Sequence, residues 1–173
     1  MELAGYGWSD DKGTSGGKST GPNPTDRAKA GTKRSLLVEG NGIPIAVTVD
    51  GANRHDMKMA PVTLQSIVIG RPEPTARSPQ HMCLDKAYDF PEIYELLEEY
   101  GYTAQIRSRG EEYDDKMNIP GYRARRWVVE RTHSWMNRFR RLLIRWEKKE
   151  ESYIAMLHFA CAWITYRAGG IFG

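Results

Sequence analysis

The feature that most constrains the fold is a pair of β-prone apolar runs joined by a glycine turn. In "KRSLLVEGNGIPIAVTVDG" the runs at 35–39 and 44–49 are separated by "GNG", which is the pattern of a β-hairpin. Downstream, "HMCLDKAYD" predicts a buried strand ending in an acid, "FPEIYELLEEYGY" a helix that ends at Gly101, and "TAQIRSRG" another strand. The last third predicts helices at 125–149 and 152–167. This order of strands and helices predicts an α/β fold.

The length allows one domain. A chain of 173 residues can bury one core but not two of ordinary size. We expect a single domain over 1–173, made of a Gly/Ser/Pro-rich loop region at 1–33, a hairpin, helix and strands at 34–110, and C-terminal helices at 122–168. The longest apolar run, "YIAMLHFACAWITY" at 153–166, is too short to span a bilayer. It predicts a buried helix and no membrane partner.

The stretch "GTSGGKST" at 13–20 is similar to a phosphate-binding loop but does not fit one. The pattern G-x-x-x-x-G-K-[ST] needs a glycine where this chain has Lys12, and Pro22 and Pro24 oppose the helix that must follow. We therefore predict a flexible loop here and no nucleotide cofactor.

Charge is unevenly distributed along the chain. The segment 121–149 has eight Arg and two Lys against two Glu, a net charge of +8 in a chain whose total is +3. This asymmetry predicts a basic surface that faces a polyanion. Cys83 and Cys161 are far apart and have no metal-ligand spacing. We therefore expect neither a disulfide framework nor a zinc site, and a reducing cytoplasm as the compartment.

Two acids stand out by their positions. Asp85 follows "HMCL" directly, at the sheet edge where α/β proteins bind ligands; the alternative is that an Asp here caps the next helix, for which Asp89 is the better candidate. Glu130 lies in "RRWVVERTHSWMNRFRRLLIRW", opposite the apolar stripe of a predicted helix and among basic residues. The alternative for Glu130 is a surface ion pair with Arg126, four residues earlier.

Together these two acids fit phosphoryl transfer on DNA. That reaction uses carboxylates from separate elements to hold two divalent ions, and Mg²⁺ prefers oxygen ligands. Arginines around such a site bind backbone phosphates. A strand-borne Asp and a helix-borne Glu within an Arg-rich face supply these groups.

Several motifs in order resemble the DDE transposases of bacterial insertion sequences, and specifically their catalytic domain. They are "GPNPTDRAKAGTKRSLLVEGNGIPIAV", "GANRHD", "LDKAYD", "RARRWVVERTHSWMNRFRRLLIRWE" and "YIAMLHFACAWITYR". The resemblance extends from Gly16 to Arg167. It implies a ribonuclease-H-like mixed sheet flanked by helices, and Mg²⁺- or Mn²⁺-dependent DNA cleavage and strand transfer. It also implies transposon ends and target DNA as partners, a homodimer, and a location at the bacterial nucleoid.

The resemblance assigns roles residue by residue. Asp85 in "LDKAYD" and Glu130 in "RRWVVERTHSW" match the second and third catalytic, metal-binding acids. The family has a signature Y-x2-R-x3-E-x6-K around the glutamate; Arg126 and Glu130 match it, while the tyrosine position is Arg123 and the lysine position is Asn137. Arg138 or Arg140 is expected to replace that lysine. The cationic residues expected to contact DNA phosphates are Arg126, Arg131, His133, Arg138, Arg140 and Arg141.

The first acid departs from the family pattern. In the family it lies on the first strand of the sheet, and counting back from "GPNPTDR" reaches Gly7 in "AGYGWSDD". The first strand is therefore expected to be missing or degenerate. Asp10 and Asp11 are the nearest substitutes, and Asp10 is the predicted third catalytic residue. Asp26 and Asp56 match "TDR" and "NRHD"; they are expected to organise turns or the sheet edge, and recruitment of either stays open.

Two other functions stay open from the sequence. A truncated, catalytically inactive fragment that binds DNA or dimerises is favoured by the departure at the first acid. A host nuclease of the same fold would need that acid restored. Salt-dependent DNA binding without cleavage would distinguish the fragment from the enzyme.

Overall fold

A computed structural model of the chain describes residues 3–13, 17–24, 29–106, 117–118 and 127–170. The strands are β1 Leu3–Gly13, β2 Gly21–Pro22, β3 Ala30–Glu39, β4 Pro44–Gly51, β5 Gln80–Leu84, β6 Tyr102–Ile106 and β7 Ile144–Arg145. The helices are α1 Asp56–Gln65, α2 Pro91–Glu99, α3 Trp127–Met136, α4 Arg140–Leu143 and α5 Glu150–Ala168, and a 3₁₀ turn covers Lys86–Tyr88. The seven strands within the described residues form one sheet in the order β2-β3-β1-β5-β6, with β4 also paired to β3 and β7 to β1.

Strand β3 is covered on both faces of the sheet. Side chains alternate along a strand, so Leu37 packs with α1, α2 and β5 on what we call the back face. Leu36 and Val38 pack with α3, α4 and α5 on the front face. Because both faces are covered, β3 is buried almost throughout its length. The predicted α/β class is confirmed.

The predicted hairpin is confirmed. β3 and β4 pair antiparallel, with Leu36 opposite Val47 and Val38 opposite Pro44. The turn is closed by the backbone N–H of Glu39, which donates to the carbonyl of Ile43 at 3.0 Å. Gly42 has a φ of 85°, a left-handed conformation that glycine adopts without a steric penalty.

The middle of the chain also follows the sequence pattern. β5 ends one residue before Asp85, and it pairs in parallel with β6 over its whole length. Helix α2 buries Ile93 and Leu97. The chain leaves this helix through Gly101, whose φ of 72° is the left-handed conformation expected after a helix end.

The loop expected over 1–33 is wrong for much of its length. β1 occupies Leu3–Gly13 and pairs antiparallel with β3 from Leu3 opposite Glu39 to Gly13 opposite Ala30. β2 and the start of β3 also fall in this region. The first strand is thus present, between β3 and β5. Its pairing with neighbours on both sides overrides a glycine-rich composition that is unfavourable for a strand by itself.

The single helix expected over 125–149 is also wrong. Within the described residues α3 ends at Met136, Phe139 has extended dihedral angles (φ −80°, ψ 104°), and only the short α4 follows. β7 then pairs in parallel with the end of β1, with Ile144 opposite Lys12. The helix ends because this part of the chain joins the sheet.

Helix α5 confirms the helix predicted at 152–167, but the helix is not buried all round. Tyr153, Leu157, Ala160 and Ile164 form its buried stripe on the front face, whereas Phe159 is 65% exposed and Trp163 48% exposed. No helix in the described part of the chain combines the length and hydropathy that a membrane crossing requires.

Candidate functional site

Asp85 lies at the carboxyl end of β5. Met82 and Leu84 point to the back-face core, and Asp85 keeps extended dihedral angles (φ −70°, ψ 156°), so strand alternation directs it to the front face. Its carboxylate accepts a 3.4 Å hydrogen bond from the backbone N–H of Ala87 and thereby caps the 3₁₀ turn. Asp89, the favoured capping candidate, does not cap α2, since the residue before that helix is Phe90.

Glu130 lies in the first turn of α3 and is exposed. This helix packs on β1 and β3, with Val128, Val129 and Met136 buried in the front-face core. Asp85 and α3, which carries Glu130, are therefore on the same face of the sheet. Asp85 ends the strand next to β1, and α3 packs on β1 itself.

Strand β1 contacts both elements: it pairs in parallel with β5 through Leu3 opposite Met82, and α3 packs on it. Counting on from that pair, Asp85 is level with Tyr6 of β1, next to Gly7. Gly7 is opposite Leu36, and Asp10 is opposite Lys33. At about 3.3 Å per residue, Asp10 is roughly 10 Å further along the strand than Gly7.

Asp56, from the "NRHD" motif, is engaged in a buried ion pair. The Nζ of Lys33 lies 2.9 Å from Asp56 Oδ1 and also donates to the carbonyl of Arg54. Tyr88 is buried nearby; burial raises its pKa, and so do the charges of Asp56 and Asp85. The Tyr88 hydroxyl therefore stays protonated at neutral pH. Asp26, from the "TDR" motif, lies outside the described residues.

Part of the predicted cationic surface serves the fold. Arg131 donates to the carbonyl of Asn41 at 2.5 Å and lies against the rings of Trp127 and Trp135, at 4.4 and 4.8 Å. His133 is only 6% exposed, so burial removes it from the reach of a DNA phosphate. The DNA contacts predicted for these two residues do not agree with their environments.

Asn137 stands at the lysine position of the signature, and the structure shows what this side chain does. Its Oδ1 accepts a 2.7 Å hydrogen bond from Nη2 of Arg34, which is fully buried in β3. Asn137 therefore ties the end of α3 to the sheet. Of the described residues predicted to contact DNA, Arg138, Arg140 and Arg141 are exposed. Arg123 and Arg126 lie outside the described residues.

Arg145, counted in the basic segment, is buried and binds the loop at 17–20. Its guanidinium donates to the carbonyls of Lys18 and Ser19 at 2.9 and 3.1 Å, and to the Thr32 hydroxyl at 2.6 Å. Glu150 also accepts a hydrogen bond from Ser19 and pairs with Lys18. The loop at 17–20, which resembles a phosphate-binding loop in sequence, is thus joined to the C-terminal region through hydrogen bonds that its carbonyls accept.

The carboxylates of Asp85 and Glu130 are of the ligand type that binds magnesium. Mg²⁺ is usually bound by one or two carboxylates together with water and substrate phosphates, and Asp85 and Glu130 offer two carboxylates. Among the residues with described side chains, no group of three or more His, Cys, Asp or Glu is arranged to hold a metal ion. The side chain of Asp10 is not among them.

Comparisons with known proteins place the chain in a family. Residues 8–165 match the family model described as Transposase DDE domain. A Burkholderia cepacia protein assigned as the transposase of insertion sequence element IS402 is 34% identical over 153 residues, which are 87% of this chain and 70% of that protein.

A solved structure supports the fold. The simian T-cell lymphotropic virus intasome in complex with PP2A regulatory subunit B56 gamma matches with a TM-score of 0.51 and 13% identity, over 99% of this chain and 49% of that one. This chain spans about half the length of the intasome chain, and the likeness concerns the fold alone. The ribonuclease-H-like prediction is confirmed, and the chain belongs to the Transposase DDE domain family.

Proposed function

We propose that this chain is the catalytic domain of a DNA transposase that cleaves and joins DNA strands at the ends of an insertion sequence. The observation that carries the proposal is that Asp85, at the end of the strand next to β1, and α3, the helix that carries Glu130 and packs on β1, are on one face of the sheet. Exposed arginines follow Glu130 along the same segment. The expected partners are transposon ends and target DNA, with the protein acting as a homodimer near the bacterial nucleoid.

In this proposal Asp85 and Glu130 are the carboxylates that bind Mg²⁺ or Mn²⁺. The metal, when bound, supplies Lewis-acid stabilisation of the attacking and leaving oxygens. Arg138, Arg140 and Arg141, which are exposed on and just before α4, neutralise backbone phosphates of the DNA. Asp10 is the proposed third acid, with Asp11 as the alternative.

The test is nicking of duplex DNA that carries the element's terminal repeats, with Mg²⁺ or Mn²⁺ present. Loss of a metal-binding carboxylate costs several kcal/mol of transition-state stabilisation, so Asp85→Asn and Glu130→Gln should each nick at least about 100-fold more slowly. Glu151→Gln, an exposed acid in the first turn of α5, is the matched control and should nick at the parental rate. If Glu130→Gln nicks as fast as the parent, Glu130 is not a metal-binding acid and the proposal fails.

One observation favours the second candidate, a catalytically silent DNA-binding fragment. The stretch of β1 level with Asp85 is at Tyr6 and Gly7, neither of which has a carboxylate, and Asp10 lies further along the strand. Under this candidate the parent binds DNA with a strong salt dependence but does not nick it. Slower nicking by Asp10→Asn or Asp11→Asn than by the parent would instead place the first acid on β1.

A further inference from the structure

The turn between β3 and β4 is held in one shape by the residue that begins it. Glu39 Oε1 accepts hydrogen bonds from the backbone N–H groups of Asn41 and Ile43, at 2.7 and 3.1 Å. Glu39 Oε2 accepts a bond from the side-chain amide of Asn41 at 3.2 Å, and the backbone N–H of Gly42 donates to the Glu39 carbonyl at 2.8 Å. These bonds fix the positions of the Asn41 and Gly42 carbonyls.

Helix α3 contacts this turn through the two residues that follow Glu130. Arg131 Nη2 donates to the carbonyl of Asn41 at 2.5 Å. The Thr132 hydroxyl donates to the carbonyl of Gly42 at 2.8 Å, in a bond that is buried. Both acceptors are the carbonyls whose positions the turn itself fixes.

The two donors are also held in place by α3. The Arg131 guanidinium lies against the rings of Trp127 and Trp135, one helical turn to either side. The Thr132 hydroxyl lies 3.1 Å from the carbonyl of Val128, four residues earlier. Cation–π contacts and a bond to the preceding helical turn restrict both side chains. The contact between the turn and α3 therefore joins two preformed surfaces.

The turn and the helix are too close for a larger residue at position 42. A Cβ on Gly42 would lie 2.9 Å from Thr132 Oγ1 and 3.0 Å from Arg131 Nη2, well inside the normal separation of non-bonded atoms. Glycine at this position is therefore required by the approach of α3 as well as by its φ of 85°.

The contact with the turn sets the rotation of α3 about its own axis. Residues two apart on a helix differ by about 200°, so Glu130 is on roughly the opposite side of α3 from Thr132. A rotation of about 15° moves an atom at the helix surface, about 5–6 Å from the axis, by about 1.5 Å. A misplacement of about 1 Å is enough to lower a catalytic rate about 100-fold.

We propose that the β3–β4 turn positions Glu130, and that Thr132 and Arg131 are the positioning residues through which it acts. By binding the carbonyls of Gly42 and Asn41, they fix the rotation of α3 and hence the direction in which the Glu130 carboxylate points. This inference rests on the proposed function, since it takes Glu130 to be a metal-binding acid.

The test uses Thr132→Val, which keeps the shape of the side chain but removes the hydroxyl. Mn²⁺ affinity is measured by isothermal titration calorimetry, and kcat and KM by nicking of terminal-repeat DNA, at a temperature where circular dichroism shows every variant folded. Thr132→Val should bind Mn²⁺ about tenfold more weakly and have an about tenfold lower kcat with an unchanged KM for DNA. Thr132→Ser, which keeps the hydroxyl, should recover most of both losses. Gly42→Ala, whose Cβ displaces Thr132, should reproduce them.

A double-mutant cycle separates positioning from stability. If Thr132 acts through Glu130, Thr132→Val should cause no further loss of Mn²⁺ affinity in a Glu130→Gln protein. Thr165→Val is the matched control, because the Thr165 hydroxyl also donates to the carbonyl four residues earlier, at 3.0 Å, but is exposed on α5. It should bind Mn²⁺ and nick DNA like the parent.

The outcomes distinguish this role from the proposed function. A Thr132→Val protein with a lower Tm but parental Mn²⁺ affinity and kcat would overturn the positioning role and leave the proposed function intact. Equal losses of Mn²⁺ affinity with and without Glu130 would also overturn it. A parent that binds Mn²⁺ but does not nick DNA would refute the proposed function, while the Mn²⁺ cycle would still decide the role of Thr132. A parent that does not bind Mn²⁺ would overturn both.

Discussion

Replacing Arg145 by alanine removes the side chain that joins the loop at 17–20 to the C-terminal region. In the native protein the Arg145 guanidinium donates to three carbonyls, those of Lys18, Ser19 and Glu147, at 2.9, 3.1 and 3.1 Å. It is 2% exposed, so water cannot replace these bonds without a rearrangement. Its guanidinium carbon also lies 5.0 Å from the ring centre of Tyr153.

The expected loss of unfolding free energy follows from the three carbonyl oxygens that lose their hydrogen-bond donor. A fully buried carbonyl left without a donor costs about 1–3 kcal/mol; these three bonds are part-buried, so water and relaxation of the loop recover some of this. We therefore expect Arg145→Ala to lower the free energy of unfolding by about 3–5 kcal/mol, which corresponds to a fall in Tm of about 10–15 °C for a chain of this size. Arg145→Lys keeps the charge but has only one donor group, so its loss should be intermediate.

Two measurements check this reasoning. Thermal unfolding followed by circular dichroism gives the Tm, and limited trypsin digestion reports cleavage after Lys18, whose carbonyl is released in the variant. Arg141→Ala is the matched control, because the Arg141 side chain is 72% exposed and its nearest carboxylate is 3.8 Å away; it should change stability by less than about 0.5 kcal/mol. An Arg145→Ala protein within 1 °C of the parent in Tm, with Lys18 cleaved at the parental rate, would refute the role of Arg145.

Two further predictions concern ion pairs. Asp56→Asn leaves Lys33 charged and buried without its carboxylate, so unfolding free energy in urea should fall by about 3 kcal/mol; a loss below 0.5 kcal/mol would show that the pair is dispensable. The pKa of Glu150 is lowered by the hydrogen bond from Ser19 and by Lys18, so its contribution is present above the unfolded-state pKa of about 4.3 and is lost as the pH falls through the lower folded-state value. Glu150→Gln should therefore be less stable than the parent at pH 6 and converge with it on acidification, and parallel urea midpoints from pH 6 to pH 3 would contradict this.

The parts of the fold that the sequence predicts well are those fixed by local chemistry. The "GNG" turn between two apolar runs specifies the β3–β4 hairpin through residues that are close along the chain. The apolar spacing of "FPEIYELLEEYGY" and the left-handed Gly101 likewise specify α2 and its end. Asp85 was found in the same way, since it follows a short apolar run directly.

The features that sequence patterns missed depend on contacts between distant segments. β1 has a glycine-rich composition typical of loops, and it is a strand because β3 and β5 pair with it. In the sequence, Arg145 is indistinguishable from its basic neighbours. It is buried because it binds Ser19 and Thr32, which lie more than 100 positions earlier in the chain. The partner of Asn137 is equally distant. A helical periodicity that continues past Met136 gives no sign that β7 will join the sheet.

The candidate site also depends on β1 for its architecture. Asp85 and Glu130 belong to segments 45 residues apart; β5, which leads to Asp85, pairs with β1, and α3, which carries Glu130, packs on β1. β1 is in turn held by β7 at its far end, next to Arg145. The two segments of the candidate site are therefore joined by the same central strand that Arg145 and the loop at 17–20 secure. Loss of the hydrogen bonds between Arg145 and the loop should therefore alter the geometry of the site, even though neither Arg145 nor the loop contributes a carboxylate to it.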